Sequence, residues 1–241
     1  HEISVIDRKA MHERLTGAAT GEKVTHVSKS AADVPNDLSF LTGIKQRIKL
    51  PGKGPRALAI DKSQVYLAEY YSDSLAKVDL TAEGKITPMA KALGTGEPES
   101  LARTGERLFN DAGLCFQSWQ SCGSCHTPDA RVDALNWDLL NDGLGNPKNT
   151  KSLLLAHQTP PVMSLGVRAT AEEAVRAGIR HIQFAVRPES EAQAIDAYLK
   201  SLTPVPSPHL DGGKMSNSAS RGEKLFAQAN CVMCHSGPLH T

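Results

Sequence analysis

The chain has 241 residues, 40% hydrophobic and 22% charged, with a formal net charge of +1 at pH 7. That length accommodates one large domain or two ordinary ones, with enough apolar residues for a core. A charge balance this close to neutral argues against nucleic acid or an acidic membrane surface as partner, and no apolar run reaches the length of a transmembrane segment.

His1 opens directly into HEISVID, whose alternation predicts a strand, so no signal peptide is expected at the start of these residues. A start inside a strand predicts that the chain belongs to a longer product. KAMHERL (Lys9 to Leu15) reads as a short helical insertion. From Arg47 to Leu80, RIKLPGKGPRALAIDKSQVYLAEYYSDSLAKVDL alternates short apolar runs with Gly-Pro, Asp-Lys-Ser and Ser-Asp-Ser turns. This stretch resembles one blade of a β-propeller of the YVTN or NHL type, with GPRALAI and VYLAEY as strands and HEISVID as the end of an earlier blade. A blade cannot bury both faces alone. Residues 1–95 are therefore expected to be part of a propeller.

From about Gly96 the pattern turns helical. PESLARTGERLF places Leu101, Leu108 and Phe109 on a helical period. ATAEEAVRAGIRHIQF begins with Thr170 and Glu173 spaced as a capping box. PESEAQAIDAYLKSL puts Pro188 at a first helical position and Ala194, Ile195, Tyr198 and Leu199 on one face. A Pro- and Gly-rich linker, TPVPSPHLDGG (Thr203 to Gly213), follows. The pattern then restarts, because RGEKLF (Arg221 to Phe226) repeats TGERLF (Thr104 to Phe109). The second copy stops soon after its motif, so it is expected to be the head of a further domain.

Four of the five cysteines fall into two C-x-x-C-H units, Cys122/Cys125/His126 and Cys231/Cys234/His235. This is a signature of covalent c-type haem attachment. Thiols three positions apart on a helical turn face one way, so both can bond to the vinyl groups of one haem. The adjacent histidine is then held beneath the macrocycle, where a ring nitrogen can ligate iron. Zinc is the competing reading, but four-thiolate ribbons separate their pairs by about 15–20 residues, whereas roughly a hundred intervene here. Cys115 is left over and reads as a small buried thiol. For the opposite axial position the candidate is Met163, behind Pro160 and Pro161 in HQTPPVMSLGVR; packing in the core is the alternative use of its side chain. His157 and His181 are rivals for that position. Trp119 and Trp137 flank the first motif and read as packing.

GERLFNDAGLCFQSWQSCGSCHTP, starting at Gly105, is similar to the beginning of the bacterial di-haem cytochrome c peroxidase and MauG superfamily. GNPKNTKSLLL (Gly145 to Leu155) resembles that family's RNTPSLLN stretch, and CHSGPLHT its CHSGPxFTD. The likeness runs from about Gly96 to Thr241. It departs at MSLGVR (Met163 to Arg168), where the family often reads FWDGR and has a tryptophan between its haems. The family's distal histidine is also missing; Asp142 and its neighbours occupy that stretch. By resemblance Glu173 would be the acid–base glutamate, though it is equally the capping-box residue. Arg168 would be a distal-pocket cation or a solvated charge at the helix start. A peroxidase needs an open iron position beside a proton shuttle; with Met163 as ligand the first haem is closed and only carries electrons.

The resulting expectation is a multidomain chain. A partial β-propeller (1–95) precedes a mainly α-helical first cytochrome c domain (96–203), then a linker and the truncated start of a second cytochrome c domain (204–241). Two haem c groups are expected in the intact protein, with Cys122, Cys125, Cys231 and Cys234 as attachment points and His126, His235 and Met163 as iron ligands. Haem at the second motif is expected to be exposed or absent in this length of chain. The resemblance implies electron transfer within a di-haem, peroxidase-like oxidoreductase, periplasmic or extracellular because c-type haem is attached outside the cytoplasm. Its partners would be a redox protein or small electron donor, with hydrogen peroxide as substrate. The alternative is a propeller-based partner-binding module whose haems only relay electrons.

Overall fold

The computed structural model describes all residues except 83–84, 95–97, 128, 133–134, 138–146, 164, 238 and 241. Gly96, Asp142 and Gly145 of the sequence reading lie outside the described residues. The chain divides into two compact units, His1–Glu97 and Pro98–Thr241.

In the first unit β1 (Glu2–Ile6) and β2 (Lys45–Lys49) form an antiparallel pair with Ile3 opposite Ile48. Between them runs α1 (Arg8–Ala19), whose N-terminus is capped by the Asp7 carboxylate accepting from the Ala10 amide at 3.0 Å. Arg14 on α1 donates to the carbonyls of Phe40 and Thr42, tying the returning loop to the helix. A second sheet is an antiparallel meander of β3 (Pro55–Asp61), β4 (Gln64–Glu69), β5 (Ser74–Asp79) and β6 (Met89–Ala92). Side chains of a strand alternate between faces, so Val65 and Leu67 of β4 point the same way as Val78 and Ala76 opposite them. These four close a core with Ile48 and Leu50, against which Ile3 and Val5 also pack. Glu69 is buried at the end of β4, but it accepts from the Gly52 amide (2.7 Å) and the Ser74 hydroxyl (2.6 Å), so the carboxylate is satisfied.

The expected propeller is not what these residues build. Among the described residues there is one four-stranded sheet, and its apolar face is covered by the β1/β2 ribbon rather than by a neighbouring blade. HEISVID is not the end of an earlier blade either: it pairs with Lys45–Lys49 across the α1 excursion. The chain as a whole is mixed α and β, in place of a propeller followed by cytochrome domains.

The second unit is built on α2 (Leu101–Phe109), α3 (Cys122–Cys125), α4 (Ala171–His181) and α5 (Glu189–Ser201), with a short ribbon of β7 (Asn136–Trp137) and β8 (Lys148–Asn149). Ser100, Thr170 and Pro188 stand at the caps of α2, α4 and α5, so Pro188 sits one position ahead of the first helical residue. Leu108 and Phe109 of α2 meet Ala194, Ile195, Tyr198 and Leu199 of α5 in the core, with the Phe109 and Tyr198 rings 5.3 Å apart. Gly105 permits the approach of the two helices, because a Cβ there would lie 1.8 Å from the Ala194 carbonyl oxygen. Beyond the linker, β9 (Leu210–Asp211) and β10 (Lys214–Met215) pair across Gly212 and Gly213, and α6 (Asn217–Gln228) follows. No residue of α6 is buried. The repeated LF pair is therefore core in the first copy, whereas in the second Leu225 is exposed and Phe226 only half-buried.

Candidate functional site

Cys122, Cys125 and His126 sit on the single turn of α3. Ser121 and Ser124 cap it reciprocally, and the His126 amide closes it by donating to the Cys122 carbonyl at 3.0 Å. The His126 Nδ1 lies 2.8 Å from the Lys151 carbonyl oxygen. A carbonyl only accepts, so Nδ1 carries the proton and the lone pair stays on Nε2. This is the arrangement that fixes the tautomer and ring direction of a histidine ligand. The downstream segment is held in turn by the Leu153 amide, which donates to the Ala130 carbonyl at 2.8 Å.

The other side of the motif is framed by the chain after α4. Gln120 donates its side-chain amide to the Ile182 carbonyl (2.8 Å), and the Phe116 amide donates to the Gln183 carbonyl (2.9 Å). Gln183 is buried, with its Nε2 4.0 Å from Cys122 Sγ. Burial against this apolar wall, assisted by the neighbouring Cys125 and Cys115, pushes the Cys122 thiol up to about 12. It stays neutral at pH 7, so it is a poor attacking thiolate for disulfide exchange. Among the described residues no three His, Cys, Asp or Glu side chains converge as a metal site, so the two cysteine pairs do not meet in a four-thiolate centre.

The residues of these segments suit a flat, largely apolar cofactor with acidic edges. Trp119 (67% exposed), Trp137, Leu135, Phe184 and Val186 present apolar surface that a soluble unit otherwise covers. Arg131 Nε, Thr150 Oγ1 and Gln183 Oε1 are buried without a hydrogen-bond partner. Native interiors rarely leave such atoms unpaired. Haem would cover the apolar surface and offer acceptors to Arg131 and Thr150, though not a donor to Gln183 Oε1.

Met163 stands at the tip of a hairpin closed by Val162 and Arg168, whose amide and carbonyl groups pair at 2.9 and 3.4 Å. Its φ of +73° and its 49% exposure show that the core has not taken up its thioether. His157 is engaged elsewhere: its Nε2 is 3.1 Å from Asp196 Oδ1, with both side chains almost fully buried. His181 is exposed at the end of α4. Glu173 is also exposed; its amide receives the Thr170 hydroxyl cap, and its carboxylate accepts from the Ala169 amide at 3.1 Å. Arg168 is half-buried within the hairpin bridge.

In the second copy the His235 amide again donates to the carbonyl of the first cysteine, Cys231, at 2.9 Å. Its Nδ1 lies 3.2 Å from the His240 carbonyl, so this histidine too presents Nε2 outward. Phe226 packs its ring against His235 and His240, at 6.0 and 5.2 Å. Cys231 is half-buried, and Cys234 and His235 are exposed. Reading the sequence alone missed Lys151, Gln183, Arg131 and Thr150. Lys151 acts through its backbone and leaves no side-chain signal, whereas the Arg131 cation beside a C-x-x-C-H unit was a signal within reach.

No family model matches the chain. Hydrazine synthase subunit gamma of Kuenenia stuttgartiensis is 31% identical over 151 residues, which is 57% of this chain and 43% of that protein. The chain thus spans less than half the length of the curated relative it matches. A solved structure of K. stuttgartiensis hydrazine synthase, pressurised with 20 bar xenon, matches 76% of this chain and 61% of its own, at 21% identity and a TM-score of 0.47. That likeness is too loose to carry weight. The similarity to hydrazine synthase subunit gamma overturns the assignment to the di-haem peroxidase and MauG superfamily. The motifs that suggested it are short, and MSLGVR departs from the family's pattern. Over a little more than half its length, the chain is similar to a subunit of hydrazine synthase.

Proposed function

We propose that this chain binds c-type haem and transfers electrons through it, within a subunit that works beside other protein chains. The observation that carries the reading is the His126 Nδ1 contact with the Lys151 carbonyl, which keeps the lone pair on Nε2, the atom able to ligate iron; the same kind of contact recurs at His235. A haem bound here supplies one-electron chemistry at its iron. Cys122 and Cys125 would attach it from one turn, His126 would ligate its iron, and the apolar residues beside these segments would shield it from water. Met163 is the side chain we assign as the second residue that would ligate the iron, supported by its exposure on a closed hairpin and by the engagement of His157 with Asp196. Cys231, Cys234 and His235 form the second attachment turn.

The relative's name supports the wider setting, since a gamma subunit implies companion chains. A protein redox partner therefore fits better than hydrogen peroxide. Attachment of c-type haem also brings with it a location outside the cytoplasm. Among the described residues no helix is long and apolar enough to cross a membrane. The test is mass spectrometry of denatured protein produced with c-type maturation machinery. One or two haem masses should survive denaturation, and Cys122→Ala with Cys125→Ala should remove one. An unmodified mass in the matured wild type refutes the reading.

A further inference from the structure

We infer that Arg131 and Thr150 form the anchor for the acidic side chains of the haem held at the first motif. The inference rests on the haem reading above. Its starting point is the pair of buried polar atoms, Arg131 Nε and Thr150 Oγ1, that have no hydrogen-bond partner. Leaving a buried donor unpaired is costly, and more so for a charged group. No ion pair to Arg131 is found among the described residues. A cation in this position calls for an anion that the described protein does not supply.

Location identifies the anion. Arg131 follows Ala130, whose carbonyl fixes the Leu153 amide, and Thr150 precedes Lys151, whose carbonyl fixes His126. The Thr150 amide donates to the Leu135 carbonyl at 3.3 Å beside the β7/β8 pair, and Ala130, the residue before Arg131, is tied to Leu153, so each residue adjoins a backbone contact of the segment that holds the histidine. Haem ligated by His126 has an apolar body and two carboxylates at one edge. An unpaired guanidinium N–H and an unpaired hydroxyl are each donors suited to a carboxylate. Gln183 Oε1, the third unpaired atom, can only accept and lies on the Cys122 side, so it takes no part. The rival occupant is an ordered water, which also satisfies buried polar groups.

The two occupants differ in what they do to the iron. An arginine paired with a haem carboxylate keeps that carboxylate ionised, so the reduction potential stays level between about pH 5 and 8, where ordinary histidines titrate. Removing the cation lets the carboxylate take up a proton within that window. The experiment uses the full chain carrying Cys231→Ala and Cys234→Ala, so that one haem reports. Potentials are measured against pH for this protein and for Arg131→Met, Arg131→Lys and Thr150→Val within it. Arg131→Met should retain the haem mass, lower the potential at pH 8 and make it fall as pH rises. Arg131→Lys should restore most of the level profile, and Thr150→Val should give a smaller slope. If Arg131→Met does not mature, Arg131→Lys combined with Thr150→Val carries the same expectation in weaker form. Haem retained with an unchanged profile overturns the anchor and leaves water as the occupant. Absence of haem from the parent protein is a different result, and it overturns the haem reading itself.

Discussion

Replacing Gly105 by alanine tests the packing on which the first motif stands. The added Cβ would lie 1.8 Å from the Ala194 carbonyl oxygen, 2.5 Å from its carbonyl carbon and 2.8 Å from Tyr198 Cβ. Even close C–H···O contacts keep carbon and oxygen about 3.3 Å apart, so α2 and α5 must separate by more than an ångström where they touch. A backbone oxygen inside a helix cannot swing aside, which places the cost near the top of the roughly 1–3 kcal/mol range for overpacking. Alanine recovers up to about 1 kcal/mol of helix propensity over glycine. The net expectation is a loss of about 2 kcal/mol, or about 4–8 °C in Tm for a unit of this size. Gly222, the matching residue of the repeat, is the internal control: among the described residues a Cβ there meets nothing within 4 Å. Gly222→Ala should be neutral or stabilising by up to about 1 kcal/mol. Thermal unfolding of both variants beside the wild type decides the matter. A Gly105→Ala protein as stable as the wild type would show that the α2–α5 approach is wrong.

Asp196→Ala leaves His157 without its partner and strips one of two carboxylates from Arg176; we expect a loss of about 3 kcal/mol, read as a lower urea midpoint at unchanged m. The Lys200 ammonium, 2.7 Å away, holds the Glu172 carboxyl at about 2, below its ordinary 4.5. Because the folded value is the lower one, this pair contributes above about pH 4.5 and is lost as pH falls toward about 2. With Glu172 40% exposed, the contribution is under about 1 kcal/mol, and Lys200→Met should flatten that part of the stability profile without altering stability at pH 2. In haem-loaded protein, Met163→Ala should lower the reduction potential and admit carbon monoxide; a wild type that already binds carbon monoxide readily would remove Met163 from the opposite position.

The sequence by itself determined what rests on near neighbours. Helices α2, α4 and α5 follow from apolar spacing, α4 also from its Thr170 cap, and the α3 turn follows from C-x-x-C-H. Each involves contacts within a few residues, where residue type and spacing decide the backbone. The tertiary structure decided everything that joins distant segments. β1 finds its partner beyond α1 instead of in a propeller blade, because only the folded ribbon shows which apolar face covers β4 and β5. His157 turns from a ligand candidate into the buried partner of Asp196, and a carbonyl that no side-chain pattern announces sets the direction of His126. The repeat makes the same point within one chain. TGERLF and RGEKLF are nearly the same hexapeptide, yet Gly105 is hemmed in by α5 and Gly222 by nothing described. A residue's own chemistry sets what it can do, and the neighbours that long-range folding brings to it select which of those uses is realised.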